Sequence, residues 1–304
     1  MLPIGKLNAP LRMELFLSNA DDAIYSGAGA GLGATWQLSN VEFCACYVEL
    51  QDDSLDSQTD TGIPQYISTT TYRQASSSLT ANTGGEFTIM VPFRCASLNA
   101  IHARFRNQAG AAQGVNTTAA YRKSCSINPN MSSYYFRIGS AIYPNKPVYL
   151  LNNGFVGTGA EGMAELMKSF HSFSSTSGNP SLLHQQYNVC AGTANLGLSG
   201  WAIGAIPVNK ANGVIDTHNN SFAIGLECQS FSNRNDTILS GISTLNSQVF
   251  FTGSIYSGAI AGGTLSTQTV GVYNAANTNG YTIDFFSQMD MILVIQDGIM
   301  TAKF

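Results

Sequence analysis

The closing stretch DMILVIQDGIMTAKF, residues 290–304, decides the class of fold. Two mainly apolar runs flank the dipeptide Asp297-Gly298, which is a strong signal for the tight type I′ turn of a β-hairpin. Side chains alternate between the two faces of a strand, and both faces of the run MILVIQ are nearly apolar. The sequence therefore predicts a hairpin whose first strand is central and covered on both sides.

Strand signals continue outward from this hairpin over most of the chain. They are short runs rich in β-branched and aromatic residues, bounded by Gly, Asn, Ser and Asp. The runs predict strands over residues 11–17, 41–50, 86–93, 98–106, 134–140, 147–151, 221–231, 247–256, 267–274 and 281–286. Many strands with few helices predict an all-β sandwich or barrel.

Helical periodicity is rare and lies near the middle of the chain. Residues 160–170, AEGMAELMKSF, place four apolar side chains on one stripe of a helix, and a weaker helix is predicted near residues 181–187. The surrounding residues 151–180 are rich in Gly, Ser and Asn, and each half of the chain carries about the strand count of one eight-stranded sandwich. The sequence predicts two units, residues 1–150 and residues 151–304.

Charge is sparse along the whole chain. Charged residues make up 11% of the sequence, against roughly 25% in an average soluble domain. Ser, Thr, Asn, Gln and Gly supply the polarity instead, which suits packing against other copies because few charges must be desolvated at the contact. The net charge of −4 argues against a nucleic-acid groove, so no sequence-specific nucleic acid is expected as a partner. The longest basic cluster is interpreted as a solvated or interface surface and comprises Arg104, Arg106, Arg122 and Lys123.

The glycine-rich string GTGAEG, residues 157–162, matches the dinucleotide pattern G-x-G-x-x-G. A dinucleotide fold also needs an alternating series of strands and helices and an acidic residue about 20 positions further on. Neither is present, because helices are rare and no Asp or Glu lies between Glu165 and Asp216. We therefore predict no bound cofactor, and interpret the glycines as a loop that enters a short helix.

Patterns for catalysis and for metal binding are also missing from the sequence. The four histidines are far apart, and neither the zinc-binding H-E-x-x-H pair nor the G-x-S-x-G turn of a serine nucleophile occurs. His102 falls in a predicted strand and is interpreted as a packed or interface imidazole. We predict no catalytic residue, no cofactor-binding residue and no metal ligand, and hence no enzyme.

One acidic loop, residues 50–62, leaves a calcium site open as a weaker alternative. Carboxylate oxygens at this spacing could hold the ion, but the order of the residues departs from the EF-hand pattern, so a solvated acidic loop is the favoured interpretation. The carboxylates are those of Asp52, Asp53, Asp56 and Asp60.

The six cysteines form no C-x-x-C pair, which argues against a zinc knuckle. Free buried thiols are the favoured interpretation, and disulfides or a metal site are the alternatives. The cysteines are Cys44, Cys46, Cys95, Cys125, Cys190 and Cys228.

Four stretches resemble the double jelly-roll major capsid proteins of tailless icosahedral viruses. They are a Leu-Pro turn with a long strand, an Ile-Gly-Ser segment followed by Tyr-Pro, a strand–loop–strand unit and the closing hairpin. The stretches cover residues 2–24, 134–148, 222–251 and 289–304. Within that class, the chain most resembles the capsid proteins of small lipid-containing bacteriophages, including the flavobacterial single-stranded-DNA type.

The resemblance implies a fold of two eight-stranded jelly rolls in tandem, with a few short helices. It also implies homotrimers that serve as pseudo-hexameric capsomers and tile an icosahedral shell over an internal membrane. The partners would be other copies of the chain, neighbouring capsomers, vertex or minor capsid proteins and that membrane. The protein would be made in the host cytoplasm and would reside in the virion. In larger relatives the Leu-Pro segment lies late in the first roll, but here it begins at Met1, so a boundary near residue 75 is an alternative to the one near 150.

Two other functions stay open from the sequence. A carbohydrate-binding or adhesin-like sandwich could stack Trp36, Trp201 or Tyr281 on sugars, although the start of the chain lacks the basic and apolar parts of a secretion signal. A jelly-roll enzyme of the cupin type would need clustered histidines, which this sequence does not supply.

Overall fold

The structure is a computed structural model, and ten parts of the chain are described. The described residues are 7–17, 37–46, 64–80, 85–107, 126, 131–150, 160–170, 222–229, 240–255 and 281–304. Nine strands and one helix lie within these parts. The strands are β1 (Gln65–Leu79), β2 (Gly85–Val91), β3 (Leu98–Asn107), β4 (Met131–Ile138), β5 (Ala141–Tyr149), β6 (Ala223–Glu227), β7 (Val249–Ile255), β8 (Tyr281–Gln296) and β9 (Ile299–Lys303), and the helix is α1 (Ala160–Ser169).

The first eight strands pair as one long hairpin. β1 pairs with β8, β2 with β7, β3 with β6 and β4 with β5, and every pair is antiparallel. Two further pairings, β3 with β8 and β4 with β7, roll this hairpin into two sheets. One sheet has the order β1-β8-β3-β6 with β9 beside β8, and the other has the order β2-β7-β4-β5. This nested wrap is that of an eight-stranded jelly roll.

The core lies between the inner faces of the two sheets. Alternate residues of each strand point inward, so β8 contributes the buried side chains of Tyr281, Ile283 and Phe285. Phe251 of β7 lies at the centre, with ring centroids 5.1 Å from Phe136 and 5.5 Å from Phe285. Aromatic rings at such separations stabilise a core beyond the apolar area that they bury.

The C-terminal hairpin has the predicted turn. Asp297 and Gly298 both have positive φ, 54° and 75°, as a type I′ turn requires. β8 runs as one unbroken strand, with β1 on one side and with β3 and then β9 on the other. Val294 and Ile295 point to opposite faces of β8, and both are buried. The prediction of a central strand covered on both sides is confirmed.

A buried polar cluster ties β8 to the segment that precedes β7. Asp290 accepts hydrogen bonds from Ser97 Oγ at 2.5 Å, from Asn99 Nδ2 at 2.6 Å and from the backbone N–H of Ser240 at 3.0 Å. The backbone N–H of Gly241 donates in turn to Ser97 Oγ at 2.8 Å. Buried polar groups need such partners, because an unpaired one retains its full desolvation cost.

The all-β prediction is confirmed, and the predicted helix at residues 160–170 is found as α1. The strands predicted over residues 11–17 and 41–50 are wrong for the described part, since residues 11–17 and 41–46 are exposed and have no regular structure. A strand needs a partner for its backbone groups, and no described strand pairs with these segments. The strand predicted over residues 267–274 and the weaker helix near 181–187 lie outside the described residues.

The predicted boundary near residue 150 does not divide the described sandwich. β1 to β5 precede that residue and β6 to β9 follow it, yet the two groups share both sheets. The alternative boundary near residue 75 falls inside β1. Pairing between early and late strands closes the described roll, and the division of the chain into two units stays a prediction. The described residues supply one roll, and the arrangement of two rolls in tandem stays a prediction.

Candidate assembly surface

Within the described parts of the chain, no group of three or more His, Cys, Asp or Glu side chains comes together to hold a metal ion. The loop considered for calcium, with Asp52, Asp53, Asp56 and Asp60, lies outside those parts, and the site stays a prediction. None of the described helices has the length and apolar character needed to cross a membrane.

Two of the cysteines are buried as predicted, and two are not. Cys95 and Cys228 are free thiols in the core, and burial raises the pKa of each thiol. Cys44 and Cys46 are exposed, so the prediction of burial is wrong for this pair. Both lie in the segment 37–46, which belongs to neither sheet and is exposed throughout. Outside the described residues lie Cys125 and Cys190.

Tyr281 cannot stack on a sugar, as the carbohydrate-binding alternative requires, because its side chain is fully buried in the core. Trp36 and Trp201 lie outside the described residues. His102 of β3 stacks on Phe170, with 4.4 Å between the ring centroids, which confirms a packed imidazole. This ring pair joins the roll to the end of helix α1.

Helix α1 closes one long side of the sandwich. It packs on β6, the edge strand of the five-stranded sheet, where Leu166 and Ser169 are buried. A glycine is required beneath it, because a Cβ at Gly225 would lie 3.1 Å from the Cα of Leu166 and closer still to the Ser169 side chain. In its first turn, Glu161 accepts a hydrogen bond from the backbone N–H of Tyr149, at the end of β5. The helix therefore reaches from the edge of one sheet to the edge of the other.

An ion pair on the surface joins the start of α1 to β5. Lys146 Nζ lies 2.8 Å from a carboxylate oxygen of Glu161. This hydrogen bond lowers the pKa of Glu161 and raises the pKa of Lys146. The Lys146 side chain is largely exposed, so water screens the pair and its contribution to stability is small. The apolar packing of Leu166 holds the helix in place.

The opposite long side of the sandwich is bordered by the edge strands β1 and β2. β1 pairs with β8 over Gln65–Leu79 without a register shift, and no described strand pairs with its other side. Each residue of a strand carries a backbone N–H and a C=O, so an edge of 15 residues presents a long row of groups to which another strand can bond. This side of the roll is a candidate surface for contact with another chain.

Reasoning from the sequence missed β1. Its sequence, QYISTTTYRQASSSL, is half Ser and Thr and has few large apolar residues, so no apolar run marks it. Burial does alternate along most of the strand, and half-buried Ile67, Thr69 and Thr71 share one face. The available signal is the β-branched character of the threonines, which favours extended structure.

A charged cluster on the outer face of the five-stranded sheet holds β1 to its neighbours. Asp284 of β8, whose side chain is fully buried, accepts hydrogen bonds from three side chains. The donors are Arg104 Nε at 3.0 Å, Arg106 Nη2 at 2.8 Å and, on β1, Ser76 Oγ at 2.8 Å. Burial alone would raise the pKa of Asp284, but the hydrogen bonds from Arg106 and Ser76 and the charge of Arg106 outweigh it and lower the pKa.

The interpretation of Arg104 and Arg106 as a solvated or interface surface is corrected by this cluster. They lie on one face of β3 because they are two residues apart, and that face carries the buried carboxylate of Asp284 on the adjoining strand. The Arg-x-Arg spacing, together with an Asp set between the apolar residues Ile283 and Phe285, is the signal in the sequence that points to the pairing.

Large apolar side chains are exposed on residues 11–17, LRMELFL, which we call the arm. The exposed fraction of these apolar side chains runs from 46% at Leu11 to 87% at Phe16. The arm follows Asn8, whose backbone N–H donates to the Gly298 carbonyl and whose Nδ2 donates to the Asp297 carbonyl. Contiguous exposed apolar surface is typical of a site that another molecule covers.

No family model matches the chain, and no curated protein is significantly similar to it. Similar solved structures include VP54 of PBCV-1, fitted into a cryo-electron-microscopy reconstruction of the virophage Sputnik. VP54 is 12% identical in sequence to this chain, with a TM-score of 0.42, and the match covers 83% of this chain and 54% of that chain. A quasi-atomic structure of the PBCV-1 virus capsid is 11% identical, with the same TM-score of 0.42 and the same coverage of 83% and 54%. The mavirus major capsid protein is 8% identical, with a TM-score of 0.35 and coverage of 79% and 41%. This chain spans 54% of the length of the two PBCV-1 chains.

Proposed function

We propose that this chain is a major capsid protein that self-assembles into a viral shell. The observation that carries the proposal is the exposed apolar arm on a jelly roll that has few charges. A single copy leaves this apolar surface in water, whereas contact with another copy buries it and desolvates few charges. The jelly-roll wrap is one of the architectures that capsid proteins use, and the four stretches of sequence resemblance support the same class.

The finer features of the proposal rest on the resemblance in sequence. We propose two rolls in tandem in each copy, homotrimers that serve as pseudo-hexameric capsomers, and a shell that encloses an internal membrane in a small lipid-containing phage. The partners are neighbouring capsomers and vertex or minor capsid proteins. The chain is a structural protein and not an enzyme, and it reaches the virion after synthesis in the host cytoplasm.

Sedimentation and electron microscopy of the purified full-length chain test this function. We expect a species of three copies of the 32.3 kDa chain in dilute solution and closed particles on concentration. Lipid extraction of native particles tests the membrane separately. A chain that stays monomeric at every concentration and forms no particle would overturn the capsid role. Binding of that monomer to a glycan array would favour the carbohydrate-binding alternative.

A further inference from the structure

The edge of β1 differs from the edges of β5 and β6 on the opposite side of this jelly roll, and at 15 residues it is about twice as long as the seven-residue edge of β2. Proteins keep an edge strand from pairing with another chain by means of proline, charge, a bulge or a covering element. β5 carries Pro144, Lys146 and Pro147 and has a register shift in its pairing with β4, and β6 lies beneath helix α1. β1 has no proline and no register shift, and its single charged residue is Arg73. Its edge is long and has none of these protections among the described residues.

The arm has the pattern of a strand, but no described strand pairs with it. Leu11, Met13 and Leu15 share one face of an extended chain, and Arg12 and Glu14 share the other. Extended at about 3.4 Å per residue, the seven residues of the arm reach roughly 24 Å, about half of the length of β1. β1 is therefore long enough to accept the whole arm as a neighbouring strand.

The anchor of the arm places it at the end of the molecule where β1 begins. Asn8 is bonded to the turn at Asp297 and Gly298, and Gln65, the first residue of β1, pairs with Ile295 just before that turn. Although both segments start at this end, neither pairs with the other or with a further described strand on its free side within one copy. A second copy that brings its arm to this edge supplies the missing strand for both.

We propose that the arm of one copy adds as a strand to the free edge of β1 in a second copy. Backbone hydrogen bonds supply the pairing, and the apolar face of the arm covers Tyr66 and Tyr72, which are both exposed on the outer face of β1. Contacts of this kind between aromatic and aliphatic side chains on neighbouring strands stabilise a sheet. This pairing specifies which contact joins two copies in the proposed capsid function. It rests on that function only because two copies must meet for the arm to reach β1.

Photo-cross-linking in a mixture of isotopically distinct copies tests the pairing. One preparation carries the photoreactive amino acid benzoylphenylalanine in place of Phe16 at natural isotope abundance, and the other is the unmodified chain labelled with nitrogen-15. After assembly of an equal mixture and irradiation, mass spectrometry identifies the cross-linked peptides. We expect light arm peptides joined to heavy peptides of residues 65–79 about as often as to light ones, because the partner is drawn from the pool of copies.

A matched control places the same photoreactive group at Phe170. This side chain is also partly exposed, but it lies beside helix α1 on the closed side of the roll, so we expect no cross-link to β1. If the arm cross-links only to light β1 peptides, it pairs within its own chain and the proposal fails. It fails equally if the cross-linked peptides of the arm come from outside β1.

Substitution on the apolar face of the arm gives an independent test. We expect the double change Met13→Glu and Leu15→Glu to reduce the heavy–light cross-link at least tenfold while the midpoint of thermal unfolding stays unchanged, because the arm packs in neither sheet. The control is Met13→Leu with Leu15→Met, which keeps an apolar face and should retain the cross-link. Undiminished cross-linking by the glutamate variant would overturn the proposal.

The outcomes also separate this inference from the capsid role. Closed shells without a cross-link between the arm and β1 would overturn the pairing and leave the capsid role standing. Cross-linked copies that never form a closed particle would overturn the capsid role and leave the pairing standing.

Discussion

The change Asp284→Asn tests whether the charged cluster holds the edge strand in place. The carboxylate is fully buried and accepts hydrogen bonds from Arg104, Arg106 and Ser76. Asparagine keeps the shape of the side chain but removes the charge, and it leaves the guanidinium groups of Arg104 and Arg106 without the carboxylate that they share. The change therefore weakens the attachment of β1 and β3 to β8 together.

The magnitude follows from the exposure of the partners. Removing one member of a buried ion pair costs about 3–5 kcal/mol. The side chains of Arg104 and Arg106 are 35% and 23% exposed, so each can turn toward water once its partner is lost. We therefore expect Asp284→Asn to lower the free energy of unfolding by about 2–3 kcal/mol at pH 7, below the range for fully buried pairs.

The pH dependence gives the same prediction a second signature. Because the pKa of Asp284 is lowered in the folded chain, its contribution to stability is fully present above the pKa of an unfolded aspartate, about 3.9, and is lost as the pH falls through the lower folded pKa. The difference between the parent and Asp284→Asn should then be constant from pH 7 to about pH 5 and shrink at lower pH.

Urea unfolding of dilute, unassembled protein, followed by circular dichroism across this pH range, is the measurement. The control is Asp297→Asn, an exposed aspartate in the hairpin turn, where asparagine tolerates the positive φ and little change is expected. Equal stability of the parent and Asp284→Asn at pH 7 would refute the reasoning, and so would a difference that persists undiminished below pH 3.

Two further substitutions probe the packing of the roll by the same unfolding assay. Gly241→Ala should destabilise the roll by about 3 kcal/mol or more, because the new Cβ would overlap the backbone carbonyl of Leu98, which cannot move aside. The control is Gly85→Ala, where the new Cβ has open space but the φ is 79°, and it should cost only about 1–2 kcal/mol. Equal losses of stability for the two changes would contradict this account. Phe251→Ala should lower the free energy of unfolding by about 3–5 kcal/mol, because it empties the centre of the aromatic core. Phe251→Leu, the control, should lower it less. A loss of stability below about 1 kcal/mol for the alanine change would show that the core collapses around the cavity.

The parts of the fold that the sequence predicts are those with local signals. The hairpin at Asp297-Gly298 and helix α1 each depend on a short run of residues whose turn chemistry or periodicity is visible without any tertiary contact. β1 has no such signal, because Ser and Thr dominate it and its strand character comes from pairing with β8. The arm shows the opposite case, because its apolar, alternating sequence predicts a strand, yet no described strand pairs with it.

Long-range pairing explains why described strands from before and after residue 150 share both sheets. A count of strands in each half of the chain groups each strand with its neighbours in sequence. The jelly roll instead pairs the first strand, β1, with the eighth, β8, and nests the other pairs inside them. Ser76 and Asp284, which are 208 residues apart, share a hydrogen bond. The role of Arg104 and Arg106 could not be assigned for the same reason, because their counter-charge lies on a strand that is distant in sequence.

The order of folding and assembly follows from this distant pairing. β1 has too little apolar surface to persist as a strand by itself, and its partner β8 lies near the other end of the chain. We therefore expect the free edge of β1 to form only once the roll has closed, so that pairing between copies at that edge requires folded copies. A long, nearly uncharged edge that formed early would invite aggregation of incomplete chains. Because Asp284 bonds Ser76 of β1 as well as the arginines of β3, weakening that cluster should release the edge strand, and we expect assembly to decline before the roll itself unfolds.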